Sequence, residues 1–380
     1  MQVMTTRRAE PSVKGWGRLV GRAALVAGSI LLVLLALEAT LRRWPLLLGH
    51  EFANGALTRY TAKAGGIFYF DRRLHVHFMI PNHRTTMYYN GYVWQHQTDA
   101  LGFRNDPLHV PADVVLIGDS VVYGHGVNFE HTVGHLLEQR SGLRVANLGR
   151  QGNCAFQEAY LLTTYLPVFR PRVVVHVFTF NDIEDLYAYL ANAAMEEFIA
   201  QPVDRITYPS RTDPAKLLAD REEKLRNRRL LRRLEDELYV MKMLQWLEYR
   251  VREWRASVPH AEANYDPRTR HDVANVSTDP SSLGWRYTAH ALAYMKYLTD
   301  RAGARLVMAG YAEGRQIEIL RGIAARYGIE IIDTAPLGPL FAGPSFLPRD
   351  GHLSPHGARV MADLIAARIE RLPRSSTPVP

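Results

Sequence analysis

From residue 113 onward, short apolar runs rich in β-branched residues alternate with longer amphipathic stretches. The runs are DVVLIG (113–118), RVANLG (144–149), RVVVHVFTF (172–180), ARLVMAGY (304–311) and IEIIDT (329–334). Between them, apolar residues recur at helical spacing near 129–141, 155–167, 284–302, 313–327 and 355–371. Runs that are apolar at every position are buried on both faces. Alternated with helices, they predict a parallel sheet covered on both sides.

Two stretches break this rhythm. Residues 42–110 are rich in aromatics and histidine, with alternation such as MYYNGYVWQ (87–95), and predict strands and loops leading into the main domain at 111–372. Residues 185–283 form an insert. Its centre, 213–256, places Leu231, Leu234, Leu238, Met241, Leu244, Leu247 and Val251 at helical spacing, which predicts one long helix or two shorter ones. A solvated helix with one face on the body is the plain expectation. A lid, or a surface for an envelope protein partner, is the sharper one. The tail 373–380 (RSSTPVP and the residue before it) reads as disordered.

The N-terminus is apolar without periodicity. Residues 19–41 contain only Arg22 and Glu38 as charges, both near an end, and about 20 apolar residues suffice to cross the hydrocarbon core. Arg7, Arg8, Lys14, Arg18 and Arg22 precede or open the run. The positive-inside rule then keeps 1–18 in the cytoplasm and sends the rest across the inner membrane to the periplasmic side. A cleaved signal peptide is the rival, although no small-x-small site follows Leu37.

Composition narrows the class. The 380 residues are 47% hydrophobic and 22% charged, which is globular, and the single cysteine, Cys154, excludes an intrachain disulfide or a cysteine zinc site. The net charge of +8 is concentrated in two places: the first 22 residues carry +4, and 213–256 carries +3. The basic balance therefore reads as a topology signal plus a mixed-charge helical segment, not as a nucleic-acid surface.

Candidate chemistry clusters at strand ends. The first run meets Gly118-Asp119-Ser120 just before a helical pattern, and ligands of open α/β sheets bind beyond such ends. Ser120 is a candidate nucleophile there; a helix cap is the plain alternative. A serine hydroxyl needs a base, and the base an orienting carboxylate. DGHLSPHG (350–357) offers Asp350 and His352 for those parts, or else a turn with a surface histidine. NLGRQGN (147–153) can present the Gly152 N–H, and FTFNDIEDL (178–186) the Asn181 amide, to a developing oxyanion. His131 and His135, four apart on an expected helix, make a weak metal pair, since no acidic residue completes HExxH. Cys154 reads as a small buried hydrophobe, Asp182 as a loop brace, and Asp333 as a fallback acid.

Taken in order, GDS, an N-x-G-x-x-G loop, F-x-ND and a late D-x-H with glycine five residues past the histidine resemble the SGNH (GDSL-type) hydrolase superfamily. Ser120, Gly152, Asn181 and His352 match its four letters, over about 110–184 and 285–372. The upstream GFRND (102–106) and the N-terminal anchor are similar to membrane-tethered bacterial members. The resemblance implies a flavodoxin-like three-layer α/β/α fold. It implies catalysis by Ser120, His352 and Asp350, with Ser120, Gly152 and Asn181 forming the oxyanion hole and no metal or cofactor. Many members carry D-x-x-H where this chain has D-x-H, a spacing found in other subgroups. The expected activity is ester hydrolysis on an O-acylated envelope or exported glycan. An O-acetyltransferase using the same residues is one alternative, and a non-catalytic tethered scaffold binding polysaccharide or a secretion partner is the other.

Overall fold

The computed structural model describes residues 13–57, 66–74, 76–256, 277–348 and 350–371, so the expectations for 1–12 and for the C-terminal tail fall outside the described residues. In chain order the chain opens with α1 (Val13–Arg43), a 3-10 turn (Pro45–Leu48), α2 (Gly49–Leu57), β1 (Phe68–Asp71), β2 (Val76–Met79), β3 (Arg84–Tyr89) and β4 (Tyr92–Gln97). There follow β5 (Val114–Gly118), α3 (Ser120–Tyr123), α4 (Val133–Ser141), β6 (Val145–Asn147), α5 (Ala155–Phe169), β7 (Val173–Thr179), α6 (Asp182–Tyr189) and α7 (Asn192–Ala200). The insert, which α7 opens, continues with α8 (Pro214–Arg226), α9 (Leu230–Glu237) and α10 (Tyr239–Ala256). The chain closes with α11 (Leu283–Arg301), β8 (Arg305–Tyr311), α12 (Gly314–Tyr327), β9 (Glu330–Ile332) and α13 (Pro355–Glu370).

These elements form two units, one of Met1–Ala56 with Arg229–Ser257, the other of Leu57–Arg228 with Val258–Pro380. In the second unit, β5 to β9 make a five-stranded parallel sheet in the order β6-β5-β7-β8-β9. Every residue of β5 and β7 is buried, as their apolar runs require, and the one histidine of β7, His176, lies 2.7 Å from buried Glu158 Oε2. Alternate residues feed two cores. Val115, Ile117, Val174 and Met308 pack with α5, α11 and α12, while Val114, Leu116, Val175 and Val307 pack with α4 and α13. The three-layer α/β/α architecture follows. Ahead of the sheet stand two antiparallel hairpins, β1–β2 and β3–β4. The second of these seats Met87 and Trp94 with Ile67 in a small core of their own.

In the first unit, the Arg18–Arg43 part of α1 is long and apolar enough to cross a membrane, with a mean hydropathy of 2.3. The expectation of strands and loops over 42–110 needs correction at its start. Residues 49–57 are helical, because Phe52, Ala53 and Ala56 make a buried stripe at helical spacing. The insert also differs from one or two helices. Three helices occupy 214–256, separated at Asn227–Arg229 and at Leu238, whose backbone is extended (φ −86°, ψ 125°). Only α8 lies in the unit that carries the sheet; α9 and α10 belong with α1 and α2.

Candidate active site

Strand β5 ends at Gly118, Asp119 adopts an extended conformation (φ −86°, ψ −150°), and Ser120 opens the single turn of α3. The turn thus puts a hydroxyl at the carboxyl end of a central strand. Ser120 Oγ lies 2.9 Å from His352 Nε2, and His352 Nδ1 lies 2.5 Å from Asp350 Oδ1. These contacts unite residues 232 positions apart. Asp350 Oδ1 also accepts the His352 backbone N–H at 3.2 Å, so the two-residue spacing lets one carboxylate oxygen hold both backbone and ring.

The loop carrying Asp350 and His352 is tied down at several points. Tyr311 Oη, at the end of β8, donates to Gly351 O. Phe346 and Leu353 form a bridge, and Leu347 N donates to His352 O at 2.9 Å. Ser354 then caps α13 by accepting Gly357 N at 3.1 Å. A Cβ at Gly357 would stand 2.0 Å from Ser345 O, so close packing of this loop on the helix start accounts for the glycine five residues past the histidine.

The histidine also has an aromatic neighbour. His125 is buried and stacks on His352 with ring centroids 4.0 Å apart and planes 20° apart. Burial holds its imidazole well below the usual histidine range, with His352 and Arg104 adding in the same direction. His125 Nδ1 is 2.9 Å from Gln151 Nε2, which links the ring to the loop after β6. That loop is braced by buried Arg150, whose Nε donates to Asn153 Oδ1 (2.7 Å) and whose Nη1 donates to His77 O (2.5 Å). Gly152 sits there at φ +67°, a left-handed position, and a Cβ would meet Tyr189 Oη at 3.0 Å.

Asn181 is drawn elsewhere. Its Nδ2 donates to Asp119 Oδ2 at 3.0 Å and to Asp185 Oδ2 at 2.7 Å, so in this state its amide bridges two carboxylates instead of facing an open oxyanion position. Buried carboxylates demand donors, and Asn181 supplies both. Asp119 Oδ2 also accepts Ser120 Oγ at 3.1 Å. Burial raises the Asp119 carboxyl, against the Asn181 hydrogen bond. Asp185 is pushed up to about 7 by burial and by the neighbouring Asp119 charge. Asp182 accepts Thr179 N at 2.9 Å, the bracing contact expected of it, and burial lifts its carboxyl well above the ordinary range.

The remaining candidates lie outside this cluster. His131 belongs to a 3-10 turn and His135 to α4, so the two do not share a helix face; a break at Thr132, which caps α4, separates them. Cys154 is buried and donates to Gln157 Oε1 (2.9 Å) within the capping box of α5. Asp333 is exposed at the far edge strand and accepts Ala335 N (3.2 Å). His125, Asp350 and His352 have possible metal-ligand atoms within 4.8 Å of one another. Yet parallel stacked rings aim their lone pairs along parallel planes, and Asp350 is already joined to His352, so the arrangement suits a proton relay better than a metal.

Supporting residues come from the GFRND stretch, which the resemblance singled out without giving its residues a role. Arg104 of the GFRND stretch is buried and donates to the carbonyls of Tyr123, Gly124, Val127 and Gln95 at 2.7–3.2 Å. Asn105 joins Asp99 to both backbone groups of Asn147 at the end of β6. The GFRND stretch therefore fastens the turn after α3 and the neighbouring strand end.

No protein-family profile matches the chain, and no curated protein matches it. Among solved structures, it is similar to a protein described as lipolytic, of the G-D-S-L family, from Desulfitobacterium hafniense (13% identity, 67% of this chain and 97% of the other, TM-score 0.34). It is similar also to TesA (11% identity, 68% and 97%, TM-score 0.36). A catalytic mutant of an acetylxylan esterase from Geobacillus stearothermophilus matches at 12% identity over 70% and 97%, with a TM-score of 0.31.

Proposed function

We propose that this chain is a membrane-anchored serine ester hydrolase of the SGNH type, acting on an O-acyl ester outside the cytoplasm. The observation that carries the proposal is the relay itself, with Ser120 Oγ 2.9 Å from His352 Nε2 and His352 Nδ1 2.5 Å from Asp350. A scaffold has no need of a serine, an imidazole and a carboxylate in line at a strand end.

In the proposed reaction, Ser120 Oγ attacks the acyl carbonyl carbon as His352 Nε2 takes its proton. Asp350 holds Nδ1–H and so fixes the tautomer whose Nε2 lone pair faces the serine. The tetrahedral oxyanion is held by the backbone N–H groups of Ser120 and Gly152; one such donor is worth about 2.7–4 kcal/mol of barrier. Asn181 joins them only by giving up one of its carboxylate partners. His352 then returns the proton to the departing alcohol, leaving an acyl-serine. Water attacking that ester, with His352 again as base, regenerates the enzyme. A sugar hydroxyl in place of water gives acyl transfer by the same residues.

The substrate class, an O-acylated envelope or exported glycan, rests on the periplasmic orientation expected of α1 and its flanking charges. Kinetics on an acetyl ester test the mechanism. Ser120→Ala and His352→Ala should each lower kcat by about 10⁴-fold or more, as removal of a triad member does, with the fold intact. Retained turnover in either pure variant sinks the proposal. Adding a glycan acceptor and following where the acyl group goes separates hydrolysis from transfer.

A further inference from the structure

We propose that α9 and α10 form a collar seated in the lipid headgroup layer beside the exit of α1, so that the partner of this surface is the bilayer. The inference rests on the reading of α1 as spanning the membrane. Its starting point is Glu38, a carboxylate near the end of an otherwise apolar run, where an unpartnered acid is costly. Glu38 Oε2 accepts Val240 N at 2.9 Å, in the first turn of α10, where a negative charge favours the helix dipole. Arg42, one turn further on, pairs with Glu38 at 2.6 Å and donates to Glu237 O at 2.7 Å. The junction between α9 and α10 is therefore pinned to the depth at which α1 leaves its apolar stretch.

Helix α10 then runs antiparallel to α2. Lys242 Nζ donates to Ala56 O (2.8 Å), Trp246 packs edge-on against Phe52 (6.0 Å), and Arg250 lies 3.6 Å from Glu51. Away from Trp246, α10 shows a second apolar stripe at i, i+3, i+7: Leu244, Leu247 and Val251 are 51%, 42% and 45% exposed. Leu230 on α9 is 73% exposed, and Trp44 and Leu47, just past the end of α1, are 55% and 63% exposed. Exposed Arg229, Arg233 and Arg252 flank these residues. Leucine and tryptophan with interspersed arginine, at the mouth of a spanning helix, is the composition of an interfacial helix. Arginines among the leucines favour anionic headgroups over a second copy of the same cationic surface.

The test places single nitroxide labels on the full chain in nanodiscs of phosphatidylethanolamine and phosphatidylglycerol, leaving buried Cys154 unmodified. Leu247→Cys reports on the collar, Leu31→Cys on the middle of α1, and Arg359→Cys on an exposed position of α13. Relaxation by oxygen and by a water-soluble nickel chelate reads depth. The collar predicts an oxygen-to-nickel ratio at position 247 several-fold above that at 359 and below that at 31. A ratio at 247 equal to that at 359, with 31 in lipid, overturns the collar alone. Protection of 247 from both reagents overturns it in favour of a protein partner or a second copy. An aqueous ratio at 31 overturns the anchor, and the collar with it.

Discussion

At the scale of single residues, the proposed reaction depends on groups that would never touch the acyl carbon. His125 offers a π-face 4.0 Å from His352 and is kept neutral by burial, so it can steady the imidazolium that forms as Ser120 loses its proton. His125→Ala should lower kcat by about tenfold, roughly 1.4 kcal/mol of barrier, whereas His125→Phe keeps the stack and most of the rate. Equal kcat values for wild type and His125→Ala would remove the role. Asp185 makes a pH-dependent prediction. Its carboxyl is raised to about 7 in the fold, against 3.8 ordinarily, so the unfolded chain releases this proton first. The stability tied to the protonated group is complete below about pH 4 and is lost as pH rises through about 7. Asp185→Asn removes that loss while still accepting from Asn181. Its gain in Tm over wild type should be small at pH 4 and larger by at least about 2 °C at pH 8, where 1 kcal/mol is worth about 2–4 °C. A Tm difference that does not grow with pH contradicts the assignment.

At the scale of elements, Arg104 shows how an upstream segment holds the turn that follows Ser120 and α3. One guanidinium satisfies carbonyls from β4 and from the turn after α3, and its ring-face contact with Tyr123 is 5.0 Å. Arg104→Met fills similar volume but strands those carbonyls, and should cost about 3 kcal/mol or more of stability. Thermal unfolding would check it, and an unchanged Tm would show the clamp to be dispensable. Such a clamp is not legible in a sequence, because GFRND carries no periodicity and its partners lie along the fold rather than along the chain. The five strands and their helices are legible, because apolar runs such as VVVHVF can only be buried on both faces. Ser120, Asp350 and His352 are legible as types at strand and helix ends. The Asn181 bridge is not, since Asp119 and Asp185 compete for its amide only after burial. The break at Leu238 is equally silent: no glycine or proline marks it, and the contact of α10 with Glu38 decides it.

At the scale of the whole molecule, the chain passes between two units, each made of two separate stretches of sequence. The sheet and its relay are built from Leu57–Arg228 and Val258–Pro380, while the insert returns α9 and α10 to the N-terminal helices. The net charge of +8 follows the same division, with much of it placed around the apolar span and in the insert. Neither place is part of the Ser120–His352–Asp350 cluster. The proposed role of Ser120 as nucleophile can be read by covalent labelling. Full-length protein treated with a fluorophosphonate, digested and weighed peptide by peptide, should carry one adduct, on Ser120, and should lose it in His352→Ala. A folded protein that leaves Ser120 unmodified, or that labels equally well without His352, would rule out Ser120 as a nucleophile activated by His352.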